Sequence, residues 1–183
     1  MLFRSGFGGS LYILLAVREL RIDAVLLGAV IAVGGCSGVF GALAAERLVQ
    51  RFGLGRTLIG AALMTGIAAL LPPLAHGTVP VCAAILAVAQ MGDMAWSIYE
   101  INELTLRQAV APSHLLGRVN SAAHLMFRGV LPVGALVGGA LAEKIGLRGT
   151  MFVSAGGFLL STLWLVFSPI RRLQEIPKVE AVR

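Results

Sequence analysis

Gln90, Asp93, Glu100 and Glu103 follow one another along a stretch of chain that is otherwise apolar, and they are the first residues whose types and spacing could do chemistry. At helical spacing Asp93 and Glu100 share a face two turns apart, with Gln90 close to the same stripe. An ionisable group inside hydrocarbon costs several kcal/mol unless it faces a cavity or a partner, so it is a functional candidate by default. Asp93 is the deepest of the acids and the leading candidate for carrying a proton or recognising a cation. Glu103 stands four residues before Arg107, the spacing of a surface ion pair, and Glu100 lies between the two cases. Further on, His124 and Arg128 stand at i, i+4 on one face. Arg128 either snorkels to the surface or lines a cavity, and His124 is a titratable group beside it.

Other chemistries lack their residues. There is no paired nucleophile and base, no glycine-rich phosphate loop and no His/Cys/acid spacing for a metal, so no enzyme activity, cofactor or metal is expected. The formal charge of +6 is scattered over short loops with no basic stripe, which speaks against nucleic acid as a partner. Cys36 and Cys82 fall within apolar stretches and read as two buried thiols acting as small apolar residues.

The elements that must position these groups are membrane helices. From Thr57 to Gly92 the chain carries no charged residue, and a bilayer core about 30 Å thick takes about 20 apolar residues per crossing. Pro72-Pro73 and His76 to Pro80 interrupt the run where a helix would end and turn back. The chain is 57% hydrophobic and 13% charged, with a mean hydropathy of +0.87, outside the range of soluble domains. Six spans are expected: about Met1 to Val17, short and holding Arg4; about Ala24 to Ala45; about Thr57 to Leu74; about Val79 to Asn102; about Val119 to Ala142; and about Gly149 to Ser168. Helices are the reading for all six, because an open strand in lipid leaves backbone groups unpaired.

Lys and Arg set the orientation. One side would hold Arg47, Arg51, Arg56, Arg107, Arg118, Arg171, Arg172, Lys178 and Arg183; the other would hold Arg18, Arg21, Lys144 and Arg148 with Glu19, Asp23 and Glu143. The richer side should be cytoplasmic, and the C-terminus with it. An internal echo supports a 3+3 arrangement. Gly41-Ala42-Leu43-Ala44-Ala45-Glu46-Arg47 followed by Phe52-Gly53-Leu54-Gly55-Arg56-Thr57 is matched by Gly139-Ala140-Leu141-Ala142-Glu143-Lys144 and Ile145-Gly146-Leu147-Arg148-Gly149-Thr150. The copies end the second and fifth spans, an odd number of crossings apart, as in an inverted-topology repeat. Chance competes as an explanation, since Gly-Ala-Leu-Ala is common in membrane helices.

The stretch Thr105-Leu106-Arg107-Gln108-Ala109-Val110-Ala111-Pro112, then Leu116-Gly117-Arg118-Val119-Asn120-Ser121, resembles a cytoplasmic loop of one branch of the major facilitator superfamily. The branch holds the macrolide-efflux-like and siderophore-exporter-like proteins, also called transmembrane secretion effectors. The glycine-rich fifth span from Gly129 to Gly139 and the ending Ser168-Pro169-Ile170-Arg171-Arg172 resemble it too. The resemblance implies twelve helices in two six-helix halves, with both termini cytoplasmic and a substrate path between the halves. This chain is similar to the C-terminal half: residues 1–168 form the half, its first helix abbreviated, and 169–183 a cytoplasmic basic tail. Gly41, Glu46, Arg47, Gly53 and Arg56 resemble a degenerate form of the superfamily's gating loop, with Ala45 where the usual acid would stand. Arg107, Gln108, Gly117 and Arg118 belong to the resembling loop. Gly129, Pro132, Gly134 and Gly138 resemble the antiporter-type glycine-proline motif, whose work is close packing and a bend.

The expected class is therefore an all-helical polytopic bundle in a bacterial-type inner membrane. The expected function is part of a secondary-active, proton-coupled exporter of amphipathic small molecules such as drugs or siderophore-like metabolites. Its partners would be the lipid bilayer, a small-molecule substrate, and either the missing N-terminal half or a second copy of the chain. The alternative is a truncated, transport-inactive half-carrier or an association partner in the membrane.

Overall fold

The computed structural model describes Gly9 and residues 11–168, and every regular element among them is helical. Residues 1–8 and the tail 169–183, including Arg4, Arg171, Arg172, Lys178 and Arg183, lie outside the described residues. Helix α1 (residues 11–19) ends in a π-helical turn, Leu15–Glu19. Asp23 then caps α2 (Ala24–Phe52), its Oδ1 accepting a hydrogen bond from the Leu26 amide at 2.7 Å, which satisfies one of the orphan donors at a helix start. The chain continues through α3 (Leu54–Ala68), the short α4 (Leu71–Leu74), α5 (Val79–Gln90), α6 (Gly92–Val110), a 3-10 turn (Ser113–Leu115) and α7 (Leu116–Phe167).

Among the described residues, four stretches are long and apolar enough to cross a bilayer: Ala24–Phe52, Leu54–Leu74, Val79–Val110 and Leu116–Phe167. The hairpin expected at Pro72–Pro80 is present, with Gly77 in the left-handed region (φ 113°) and Pro80 in the first turn of α5. The first expected span falls partly outside the described residues. The fifth and sixth run together as α7, 52 residues long. At about 1.5 Å per residue that is roughly 78 Å, more than twice the hydrocarbon thickness. The backbone leaves the helix at Gly146 (φ 80°, ψ 163°).

Gly146 has a counterpart. Gly53, between α2 and α3, adopts φ 84°, ψ 157°, a conformation that only glycine enters at no steric cost. The two occupy equivalent places in the repeated phrase. Behind each, the threonine four residues on donates its hydroxyl to the glycine carbonyl, Thr57 to Gly53 at 2.8 Å and Thr150 to Gly146 at 2.9 Å. The turns lie at opposite ends of the bundle. Gly53 starts α3, whereas Arg148, two residues past Gly146, reaches the Pro73 and Ala75 carbonyls beyond the other end of α3. Where α3 and the second part of α7 cross, Gly66 lets Leu159 and Phe158 come into contact.

Packing centres on a small-residue face of α2 laid against α5 and α6. A Cβ on Gly41 would collide with the Met94 backbone, one on Gly34 with the Asp93 and Gln90 side chains, and one on Gly38 would sit 3.1 Å from Ser97 Oγ. Small residues allow such backbone approach, and dispersion and short polar contacts then hold the helices where lipid supplies no hydrophobic drive. Cys82 is buried as expected, but Cys36 is exposed because it lies off this packed face. Two buried clusters flank the α2–α6 contact. One joins Leu15, Leu27, Val30, Leu86 and Met151; the other joins Ala45, Leu54, Leu58, Ala62 and Ile98. Large apolar side chains such as Val25, Phe40, Leu136 and Phe167 stand on the outside, where acyl chains receive them.

These contacts separate glycines that look alike in sequence. Gly41→Ala should destabilise the purified protein in detergent by about 1–3 kcal/mol, the usual range for overpacking. Gly35→Ala, where an added Cβ meets nothing, should leave the thermal unfolding midpoint unchanged or slightly raised.

Candidate functional site

A half-open cavity of about 390 Å³ lies among α1, α2, α3, α4, α5, α6 and the second part of α7, with Ile13 and Ile31 at its exposed rim. Its polar lining consists of Tyr12, Thr65, Gln90, Asp93, Trp96 and Ser154; Ile13, Ile31, Ala68, Pro72, Met151 and Ala155 supply the apolar wall. Asp93 is the one carboxylate, and no Lys, Arg or His lines the cavity among the described residues.

The local fold explains why Gln90 and Asp93 point inward together. The helix is interrupted at Met91, between α5 and α6, and the Met94 amide donates to the Met91 carbonyl at 3.2 Å, a three-residue bond rather than the α-helical four. The Gln90 carbonyl is served instead from α2: Ser37 Oγ lies 3.0 Å from it and 2.9 Å from the Gly34 carbonyl. Counting along the helix axis, Asp93 is about 21 Å from the Val79 end of its span and about 26 Å from the Val110 end. Asp93 is therefore well inside that stretch. Thr65 is 1% exposed, and neither its hydroxyl nor that of Tyr12 has a hydrogen-bond partner among the described residues. A buried hydroxyl without a partner costs free energy, so such groups mark sites for something polar.

The structure brings Gln90 and Asp93 together and leaves the other pathway candidates elsewhere. Glu100 is exposed, outside the cavity, and so are His124 and Arg128 on the first part of α7. Glu103 and Arg107 form the ion pair their spacing predicts. Gly41 is buried against α6, and Gly53 makes the α2–α3 turn. Glu46 accepts from Gln50 Nε2 at 3.2 Å, while Arg47, Arg56, Gln108, Gly117 and Arg118 are exposed. On α7, Gly138 is buried and Gly134 half-buried, whereas Gly129 and Pro132 are exposed. The helix runs through Pro132; its one non-helical residue is Gly146.

Two groups escaped the sequence reading. Tyr12, Thr65, Trp96 and Ser154 are neutral residues in apolar stretches, and no charge pattern marks them. Arg148, read there only as a loop charge, is a clamp. Its Nε donates to Glu19 Oε2 at 2.8 Å, and its Nη1 donates to the Pro73 and Ala75 carbonyls, both at 2.8 Å. The His76 ring lies 3.0 Å from Nη1, with Nδ1 2.7 Å from the Leu74 carbonyl, to which it donates. This one side chain ties α7 to α1 and to the turn between α4 and α5.

Residues 4–181 match a family model described as transmembrane secretion effector. No curated protein and no solved structure matches the chain.

Removing the clamp strands three acceptors at once. Arg148→Ala should lower stability in detergent by about 1–3 kcal/mol, the range for lost hydrogen bonds from a charged donor. Arg148→Lys should recover only part of this, because an ammonium lacks the planar fork that reaches several acceptors together. Thermal unfolding of the two variants beside the parent checks both.

Proposed function

Because the chain belongs to the transmembrane secretion effector family of the major facilitator superfamily, we propose that it is one half of a secondary-active, proton-coupled exporter of amphipathic small molecules. The observation that carries the reading is the Asp93 cavity. A carboxylate well inside an apolar helical stretch, beside two hydroxyls without a partner among the described residues and an apolar wall, has the composition expected of a small-molecule site. A carboxylate there is also a group that a proton or a cation can neutralise in turn, which is the elementary requirement for coupling.

In this reading the chain crosses the inner membrane six times, with α7 counted as two crossings about Gly146 and α1 belonging to the first. The matched geometry of Gly53 and Gly146, with Thr57 and Thr150 behind them, supports a 3+3 inverted repeat. Arg148, Glu19 and His76 would stand on the outer face, and the Arg107 and Arg118 end, with the C-terminus, in the cytoplasm. His124 and Arg128 are polar residues on an exposed face shared with Leu125 and Leu136. A face of that kind fits apposition to a second half across a polar path better than it fits acyl chains. An N-terminal half or a second copy of the chain would provide the opposing surface.

Export is tested in inside-out membrane vesicles from cells producing the protein, with an imposed pH gradient and Hoechst 33342 fluorescence as readout. The parent should move the dye in a protonophore-sensitive way. Asp93→Asn should abolish that movement while inserting normally, and Glu100→Gln should retain it. Movement unchanged in Asp93→Asn removes the coupling role, and a parent without gradient-driven movement removes transport by copies of this chain alone. Separately, a C-terminal reporter active only in the cytoplasm should be active; silence there inverts the topology.

A further inference from the structure

None of the described residues from 116 to 137, the first part of α7, is buried. Two of them, His124 and Arg128, are polar groups inside a stretch apolar enough to cross a bilayer. Glu100 is their counterpart on α6: exposed, inside the Val79–Val110 stretch, and like Arg128 in no hydrogen bond or ion pair among the described residues. We propose that these groups form one interface, on which a second copy of this chain docks side by side in the same orientation. Glu100 of one protomer then meets the partner's Arg128, and Arg128 meets the partner's Glu100. The inference deepens the transport reading by choosing the partner, and it rests on that reading only for the membrane crossing of α6 and the first part of α7.

Level along the bundle selects the partner. Helix α6 runs toward Val110, and α7 starts back from Leu116 after the 3-10 turn. It reaches Gly146 and the Arg148 clamp at the end of the bundle where α5 begins. At about 1.5 Å per residue, Glu100 lies roughly 15 Å from the Val110 end of α6, and His124 and Arg128 roughly 12 and 18 Å from the Leu116 end of α7. The acid is level with the turn that carries both. Gln108 and Arg118, both exposed, stand roughly 3 Å from the same two ends, an acceptor and a donor at a second shared level. A two-fold axis along the membrane normal keeps every residue at its own depth in the partner, so groups at one level are the ones that meet across it. An inverted copy would bring Glu100 level with the region of Val137, among apolar side chains.

Charge favours this partner over lipid. Asp93 lines the cavity and Glu103 is held by Arg107, which leaves Glu100 as the acid of α6 open to a neighbour. A carboxylate or a guanidinium facing acyl chains is costly. Two reciprocal pairs cover four such charges and leave the interface neutral, with charge-assisted hydrogen bonds in place of solvation. Ile101 and Leu104 beside the acid, and Leu125 and Met126 beside the base, are exposed and supply apolar contact around the pairs.

The test is Förster transfer between donor- and acceptor-labelled copies of the full 183-residue chain, in phosphatidylcholine–phosphatidylglycerol vesicles at increasing lipid dilution. The parent should show transfer that falls at a defined dissociation density. Glu100→Arg and Arg128→Glu, which oppose like charges, should each weaken association about tenfold or more, and the double exchange should return it to within about threefold of the parent. Glu100→Gln, which keeps an oxygen for the guanidinium, should stay within about fivefold. If a reversed variant does not insert, cross-linking decides. In a Cys36→Ser, Cys82→Ala background, oxidation should join a copy carrying Glu100→Cys to one carrying Arg128→Cys, and should not join Glu100→Cys to Phe167→Cys. The proposal is overturned by a monomeric parent, by reversals without effect, by a double exchange no better than either single change, or by equal cross-linking to position 167. Cross-links from position 128 to a different membrane protein, with no self-association, assign the face to a separate half and overturn the second copy. Dimers without dye movement keep the interface and remove transport by them; dye movement by a monomeric parent does the reverse.

Discussion

Hydrocarbon offers no water to take up a freed backbone carbonyl or amide, so wherever this chain leaves the α-helix another group of the protein must bond the backbone it exposes. Four departures from the helix show such an answer. At Gly53 and Gly146 a threonine hydroxyl returns to the glycine carbonyl. At Met91 a serine from a neighbouring helix serves Gln90. Beyond the Pro72-Pro73 break, where the prolines supply no amide donors, Arg148 serves two carbonyls at once. Two of the four answers are local, and the other two cross-link helices far apart in sequence.

The Met91 break joins this constraint to the site. A regular helix through residues 79–110 would carry Gln90 and Asp93 as two polar groups on an otherwise continuous stripe. The interruption ends α5 and restarts α6, and the bare glycines of α2 let the restarted helix approach closely enough for Ser37 to bridge. The same close approach sets the Asp93 side chain beside Gly34 and within reach of α1, α3 and α7. Glycine in α2, serine beside it and acid on α6 therefore act as one unit. A side chain at Gly34 would meet the Asp93 carboxylate directly.

The polar groups divide into three sets with different surroundings. Asp93 and its neighbours face a half-open cavity, and the Arg148 cluster closes one end of the bundle. His124 and Arg128 stand on the exposed flank of α7. The first two sets are built within this chain.

The sequence alone determined the helical membrane class, because the uncharged length from Thr57 to Gly92 has one stable solution in a bilayer. It also marked the hairpin at Pro72–Pro80, the repeated phrase around Gly53 and Gly146, the Glu103–Arg107 pair and the candidacy of Asp93, since each is a property of residue type and local spacing. It could not separate the packed glycines of α2 from the exposed Gly129 of α7, as the two stretches have the same composition and differ only in what lies opposite. It could not find Thr65, Tyr12 or Ser154, whose meaning comes from meeting Asp93 across helices, nor tell that Glu100 would face away from the space that Asp93 lines. Those decisions belong to the tertiary structure, because helix rotation and helix breaks choose which side chains converge, and both are set by contacts between segments far apart in the chain.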